Sequence, residues 1–184
     1  WQEAGALLCV LFHDAIPLSA PEHVPPPTLR DFGWLFGTLC LAADRVAAVS
    51  RHSAVEFTRW QRRFLPGLEM PVAVMPMDAP FPAAPAAALP APLADGRPFV
   101  LCVSTLESRK DHATLLRAVA LLRDRGLTPP VQFAGGGKAL HRAPLERLAK
   151  ALGIASQVAF LGVVRDVPAR LMAHRIACLS THYE

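Results

Sequence analysis

Several kinds of site are missing from this sequence, and each absence argues against a class of function. No two of the four cysteines form a C-x-x-C pair, which argues against a zinc knuckle or a redox pair. No G-x-x-x-x-G-K-[ST] occurs, which excludes a P-loop, and there is no G-x-S-x-G elbow. No Asp-x-Asp occurs, so a pair of carboxylates that binds Mg²⁺ on a nucleotide diphosphate is not available in that form.

Long apolar runs and lysine are scarce as well. The longest apolar candidate, residues 32–43, ends at Asp44-Arg45, whereas a membrane span needs about 20 residues. No basic stretch precedes the Gly5–Phe12 run, so we expect no signal peptide, and the absence of Met at residue 1 suggests a piece of a longer protein. The net charge of +4 comes from 16 Arg and 3 Lys against 15 acids. With abundant Ala and Pro, this bias fits a GC-rich bacterial genome better than a nucleic-acid binder.

The composition that remains is that of a folded protein. Hydrophobic residues make up 52% of the 184 positions and charged residues 18%, enough for one or two domains with buried cores. Each cysteine lies singly in an apolar run, which predicts buried free thiols in the reducing cytoplasm: Cys9, Cys40, Cys102 and Cys178. A basic cluster is either a solvated helix face or a contact with an anionic membrane surface: Arg59, Arg62 and Arg63 beside Trp60 and Phe64.

Proline divides the chain. Nine of the 18 prolines lie between Pro66 and Pro98, where the missing N–H groups would break both helices and central strands. We therefore predict a Pro/Ala-rich linker over residues 81–98, a domain over 1–80 and a second domain over 99–184, with a cleft between the two domains.

Strands and helices alternate on both sides of the linker. This alternation predicts βαβ units and an α/β fold with two Rossmann-like parallel sheets. In the first half we predict strands over 5–12, 46–50 and 72–77, a loop over 21–27, a helix over 28–43 and a second helix capped by Ser50. In the second half we predict strands over 99–104, 131–134, 158–161 and 176–179, with helices ending near Gly126, Gly153 and His174, the last capped by Asp166.

In an open parallel sheet, ligands bind beyond the carboxyl ends of the strands, which directs attention to four turns. His13 follows the first strand and either contacts a ligand or bonds to backbone. Arg109 and Lys110 stand at a helix N-terminus, where cations are disfavoured unless an anion joins them or they pair with Glu107 or Asp111. The remaining two turns are the Gly135–Gly137 run, which is either a close-approach loop or a plain tight turn, and the polar segment Ser180–Glu184.

These segments, in this order, resemble family 4 glycosyltransferases, which have the GT-B fold. FHDAIPL (12–18) followed by PEH (21–23) is similar to the family's "HDLIPL…PEY", and AADRVAAVS (42–50) is similar to "ADRVIAVS". STLESRK (104–110) resembles "GTLEPRK", and FAGGG (133–137) resembles "IVGGG". VAFLG (158–162) resembles "VRFLG", and STHYE (180–184) resembles "PSLYEGFG".

The resemblance implies retaining, metal-independent transfer of a hexose from a nucleotide-diphosphate sugar to a glycan or lipid-linked acceptor in envelope polysaccharide synthesis. It therefore also implies that no metal and no cofactor is needed. Residues 1–80 would then be the C-terminal part of the acceptor-side domain and 99–184 the N-terminal part of the donor-binding domain. It also implies catalytic roles for His13, Lys110 and Glu184. Donor contacts would fall to Thr105, where many members have Arg, and to Arg109, Gly135, Gly136, Val163 and Val164.

Two other functions remain open for such a chain. One is a nucleotide-sugar 2-epimerase of the same fold, and the other is a non-catalytic Rossmann-like binding module. We expect the parent protein to act in the cytoplasm, with possible contact at the inner face of the membrane, and this piece alone to be inactive.

Overall fold

A computed structural model of the protein describes residues 4–77, 99–165, 167–173 and 176–183. The described residues form two compact units, one before and one after residue 80. The predicted linker over residues 81–98 lies outside the described residues, so the domain boundaries stay a prediction. Within the described residues, no helix is both long enough and apolar enough to cross a membrane.

The first unit is a three-stranded parallel sheet with helices. Its strands, in the spatial order β1-β2-β3, are β1 (Cys9–Phe12), β2 (Arg45–Ala48) and β3 (Val72–Val74). Its helices are α1 (Ile16–Ser19), α2 (Pro26–Ala42) and α3 (Arg51–Phe64). Three aromatic rings form the centre of the core: Phe12 lies edge-on to Phe57 at 5.1 Å and to Phe36 at 6.1 Å between ring centroids.

Three local features of this unit differ from the sequence prediction. β1 begins at Cys9 rather than at residue 5 because its partner β2 has only four residues, and these pair with residues 9–12. Leu7, which lies before the paired stretch, is exposed. α2 begins at Pro26, inside the predicted loop, because proline needs no N–H partner in the first helical turn. The unpredicted helix α1 follows Asp14, whose Oδ1 accepts a hydrogen bond from the Ile16 N–H at 3.0 Å.

The second unit is a four-stranded parallel sheet in the order β6-β5-β4-β7. Its strands are β4 (Val100–Val103), β5 (Val131–Ala134), β6 (Val158–Gly162) and β7 (Ile176–Ala177). Its longer helices are α4 (His112–Asp124), α5 (Ala139–Ala151) and α6 (Val167–Ala173). The core is formed by one face of α4 and by side chains of β4 and β5, with Leu116, Val131 and Phe133 almost fully buried.

The second unit follows the prediction more closely. β5 has the predicted bounds, and Gly126 follows α4 with a positive φ of 79°. β7 is shorter than predicted, as is β3 of the first unit. The predicted cap Asp166 and the predicted end His174 of α6 lie outside the described residues. The prediction of four buried thiols is right for Cys40 and Cys102 and wrong for Cys9, which shares the exposed face of β1 with Leu11 while Phe12 faces the core. Cys178 is half-buried.

Candidate functional site

The turns that follow the four strands of the second unit lie along one edge of its sheet. All four strands are parallel, so their carboxyl ends point the same way. β4 lies between β5 and β7, which places the 104–111 loop next to both the 135–137 turn and the 178–183 segment. The structure therefore brings together three of the segments that the sequence singled out separately.

Lys110 lies in the loop after β4 and is buried. Residues 108–110 form a 3-10 turn, and Asp111 then adopts the left-handed conformation with φ 44°. Asp111 also caps α4, with its Oδ1 accepting a hydrogen bond from the Thr114 N–H at 3.3 Å. The chain changes direction at Asp111, and Lys110 is 8% exposed. The predicted position before a helix is therefore observed, but the lysine is buried rather than solvated.

The charge on Lys110 affects two ionisable side chains near the end of β4. Burial raises the pKa of the Cys102 thiol, and Lys110 partly opposes that rise. Burial also lowers the pKa of His112; Asp111 opposes this shift and Lys110 adds to it. Cys102 lies in β4 and His112 opens α4, so the ammonium group is close to the junction between these two elements. A fixed positive charge at the carboxyl edge of a parallel sheet is suited to an anionic ligand.

Arg109 is paired within the protein. Its Nε donates to Glu107 Oε2 at 3.0 Å, and its Nη1 donates to the Tyr183 carbonyl at 3.2 Å. Pairing with Glu107, one of the alternatives that the sequence left open, is therefore observed, whereas binding of an anion stays a prediction. Thr105 is exposed in the same loop. Lys110 is the more deeply buried of the two cations in this loop.

The glycine turn after β5 packs against the loop after β4. A Cβ atom on Gly135 would lie 1.9 Å from the Ser104 carbonyl oxygen, and one on Gly137 would lie 2.5 Å from the Leu106 Cβ. The Gly136 carbonyl accepts a hydrogen bond from the Leu106 N–H at 2.7 Å. These glycines let two protein backbones approach each other, which is a reason for their presence that involves no ligand. Donor contacts by Gly135 and Gly136 stay a prediction.

The two valines after β6 differ in environment. Val163 is 82% exposed and borders Gly136, where an added Cβ would meet its Cγ2 at 3.0 Å. Val164 is partly buried and packs against the cluster of Phe99 and Leu101. The exposed side chain of Val163 is therefore available at the sheet edge, whereas that of Val164 belongs to the core. Glu184 lies outside the described residues, and its role stays a prediction.

His13 belongs to the first unit, where it follows β1 and is exposed. Its carbonyl accepts a hydrogen bond from the Ser53 hydroxyl at 2.6 Å, which fixes the backbone and leaves the imidazole outside the core. An apolar cavity of about 240 Å³ adjoins it, lined by residues that include Phe12, Phe32 and Leu35. Its catalytic role stays a prediction.

The sequence did not point to a pair of polar side chains that flank the loop of Lys110, those of Ser104 and His112. His112 is 2% exposed, and its Nε2 lies 2.8 Å from the Ser104 Oγ, within hydrogen-bond distance. The signal for its burial was available, because His112 precedes Leu115 and Leu116 by three and four residues on one face of α4. Among the described residues, no three His, Cys, Asp or Glu side chains are grouped as a metal site.

Comparison with known proteins connects this geometry to a family. The sequence pattern of the family described as glycosyl transferases group 1 matches residues 90–184. A stretch of 79 residues, 42% of this chain and 19% of the relative, is 40% identical to the GDP-mannose-dependent alpha-(1-6)-phosphatidylinositol monomannoside mannosyltransferase of Mycolicibacterium smegmatis.

Solved structures show the same architecture. Anabaena Alr3699/HepE in complex with UDP-glucose is 21% identical with a TM-score of 0.69, over 95% of this chain and 46% of that one. The pneumococcal O-GlcNAc transferase GtfA in complex with UDP and GlcNAc is 16% identical with a TM-score of 0.65, over 97% and 34%. The predicted GT-B fold is thereby confirmed.

The chain spans less than half the length of each of these relatives. The family match covers residues 90–184, and these include the 104–111 loop, the glycine turn and the 178–183 segment. Because that match extends over more than half of the sequence, the chain belongs to the glycosyl transferases group 1 family.

Proposed function

We propose that the full-length protein is a retaining hexosyltransferase that uses a nucleotide-diphosphate sugar and needs no metal. The observation that carries the proposal is the buried cation Lys110 at the carboxyl edge of a parallel sheet. Mannose is the proposed hexose, because the mannosyltransferase relative is described as GDP-mannose-dependent. The proposed acceptor is a glycan or a lipid-linked sugar, as in cell-envelope polysaccharide synthesis.

The proposed chemistry depends on charge at the leaving group. Breaking the anomeric C–O bond of the donor builds negative charge on the departing diphosphate. A cation already held in place stabilises that charge without reorganising, and a partly dry site strengthens the attraction. Lys110 supplies this cation in the proposal, and Arg109, whose Nε lies 3.0 Å from Glu107 Oε2, contacts the donor beside it.

The other assignments are parts of the same proposal. His13 contacts the donor sugar near the reacting bond, and Glu184 lies beside that sugar. The 163–164 backbone faces the nucleobase, where the exposed Val163 side chain adds an apolar surface. Thr105, Gly135 and Gly136 line the diphosphate, and Gly135 is also required for backbone packing.

We propose that the parent protein acts in the cytoplasm at the inner face of a membrane. The basic cluster on α3 supports this, because the Arg59 and Arg63 guanidinium groups each lie 5.4 Å from the centre of the Trp60 ring. Arginine stacked on an aromatic ring offers both charge and apolar surface to anionic lipid headgroups. The chain described here is expected to be inactive by itself.

Lys110→Ala in the full-length protein tests the proposal. Removing a cation that contacts developing phosphate charge should lower the transfer rate by about 10²–10³-fold. The affinity for GDP or UDP, measured by calorimetry, should fall as well because the diphosphate is anionic before and after transfer. Transfer by the wild type is measured with EDTA present.

Lys150→Ala is the matched control, because Lys150 is exposed in the last turn of α5, which leads into the amino end of β6. It should leave both measurements unchanged. Loss of wild-type transfer in EDTA would contradict the metal-free mechanism. Unchanged diphosphate affinity in Lys110→Ala would contradict the role given to Lys110.

A further inference from the structure

The segment after β7 is hydrogen-bonded to the backbone of the turn that carries Lys110. The Ser180 hydroxyl lies 3.1 Å from the Lys110 carbonyl oxygen and 2.8 Å from the Asp111 carbonyl oxygen, and it donates toward both. Ser180 is half-buried, and the contact joins residues about 70 positions apart in the chain. One side chain therefore spans two successive peptide groups.

Those two peptide groups flank Asp111, and the first of them begins at Lys110, so the bonds hold the backbone directly after the lysine. Lys110 ends a 3-10 turn, and Asp111 has the left-handed φ of 44° before α4 begins. A non-glycine residue in this conformation is held only when the surrounding structure compensates for its cost. The bond from Ser180 provides such compensation at the point where the chain turns.

Other contacts from the same segment reach the same turn. The His182 N–H donates to the Arg109 carbonyl at 3.1 Å, and His182 Nε2 lies 2.8 Å from Asp111 Oδ2. The His182 side chain is 64% exposed, so water competes for its contact with Asp111 and weakens it. The half-buried Ser180 bond is shielded better, which makes Ser180 the more effective restraint on the turn.

We propose that Ser180 is a positioning residue that holds the Lys110 backbone so that the ammonium group faces the donor diphosphate. This inference rests on the proposed function, since it needs Lys110 to contact that diphosphate. Ser180 does not itself touch the donor in this scheme. Its effect on binding and transfer passes through Lys110.

Ser180→Ala in the full-length protein removes the hydroxyl and keeps the backbone. GDP and UDP affinity, measured by calorimetry, and the transfer rate should each fall by about tenfold, which is less than the effect of Lys110→Ala. Ser180→Thr retains the hydroxyl and should restore most of both. The control is Ser156→Ala, an exposed serine before β6, which should leave both unchanged.

A double-mutant cycle distinguishes positioning from general support of the fold. If Ser180 acts through Lys110, adding Ser180→Ala to Lys110→Ala should cause no further loss of affinity or rate. A loss of the same size in both backgrounds would overturn the proposal. So would wild-type affinity and rate in Ser180→Ala alone.

Backbone hydrogen exchange gives a readout that is independent of the proposed function. The peptide 105–113 should exchange faster in Ser180→Ala than in the wild type or in Ser156→Ala. Unchanged exchange would overturn the positioning role even if Lys110 binds diphosphate. If exchange is faster in Ser180→Ala but the wild type binds neither GDP nor UDP, the proposed function is refuted instead. The role of Ser180 in diphosphate binding then fails with it.

Discussion

Replacing Gly135 with alanine should damage the second unit more than the change of one methyl group suggests. The new Cβ would lie 1.9 Å from the Ser104 carbonyl oxygen and 2.5 Å from its carbon, whereas real Cβ contacts essentially never fall below 3.0 Å. The obstacle is backbone and cannot rotate away. β4 and the turn after β5 must therefore separate by about 1 Å.

That separation has a cost that can be worked out from the surrounding bonds. It strains the bond from the Gly135 N–H to the Gly162 carbonyl at 2.8 Å and the bond from the Ser104 N–H to the Ala134 carbonyl at 3.1 Å. Each is worth about 1 kcal/mol, and overpacking of a core adds about 1–3 kcal/mol. We expect a loss of about 3–5 kcal/mol in the free energy of unfolding. At about 4–8 °C per kcal/mol, the melting temperature of this unit should fall by more than about 12 °C.

Thermal melts of the purified full-length protein, followed by circular dichroism, measure this effect. Gly136→Ala is the matched control, because its Cβ would meet only the Val163 side chain, which is 82% exposed and can move. Gly37→Ala in α2 meets nothing within 4 Å and should stabilise the first unit by about 0.5–1 kcal/mol. If the free energies of unfolding of Gly135→Ala and Gly136→Ala differed by less than about 1 kcal/mol, the steric reasoning would be refuted.

Two further predictions concern ionisable side chains. Burial lowers the pKa of the His112 imidazole from 6.5, so the unfolded chain binds a proton there more readily than the folded protein does. The stability that comes from the neutral, buried His112 should be complete above pH 6.5 and should be lost as the pH falls below it. Urea melts between pH 7.5 and 5 should therefore show a weaker pH dependence in His112→Asn, and an identical dependence would contradict this. Burial raises the pKa of Cys40 to about 11, whereas Cys9 is exposed. Iodoacetamide at pH 8 should modify Cys9 first, as measured by mass spectrometry, and equal rates would contradict the burial of Cys40.

Local signals in the sequence predicted the elements that depend on neighbouring residues. Ser50 was expected to cap a helix, and its hydroxyl accepts a hydrogen bond from the Ser53 N–H at 3.0 Å. β5 was expected over residues 131–134 and has those bounds, because Pro130 and Gly135 delimit a short apolar run. A cap or a strand end is determined within a few residues, which a sequence pattern can record.

Features set by distant residues could not be predicted from the sequence in the same way. The length of β1 depends on β2, about 36 residues later, so its apolar run overstated the strand. The need for glycine at 135 comes from the Ser104 carbonyl, and the orientation of Lys110 depends on Ser180. The sequence identified these positions as turns, but the partners that give them their shape lie 31 and 70 residues away.

The position of β7 beside β4 has a consequence for how the protein is made. During synthesis β4 pairs with β5 on one side, while its other edge stays open until Ile176 and Ala177 have been added. At about 5–20 residues per second, the ribosome needs roughly 4–15 s to proceed from Lys110 to the end of the 178–183 segment. For the part of that interval in which β4 is outside the ribosome, the nascent chain exposes an unpaired strand edge, a row of backbone N–H and C=O groups with which neighbouring nascent chains on a polysome can pair. The yield of folded protein should therefore depend on translation speed over residues 111–177.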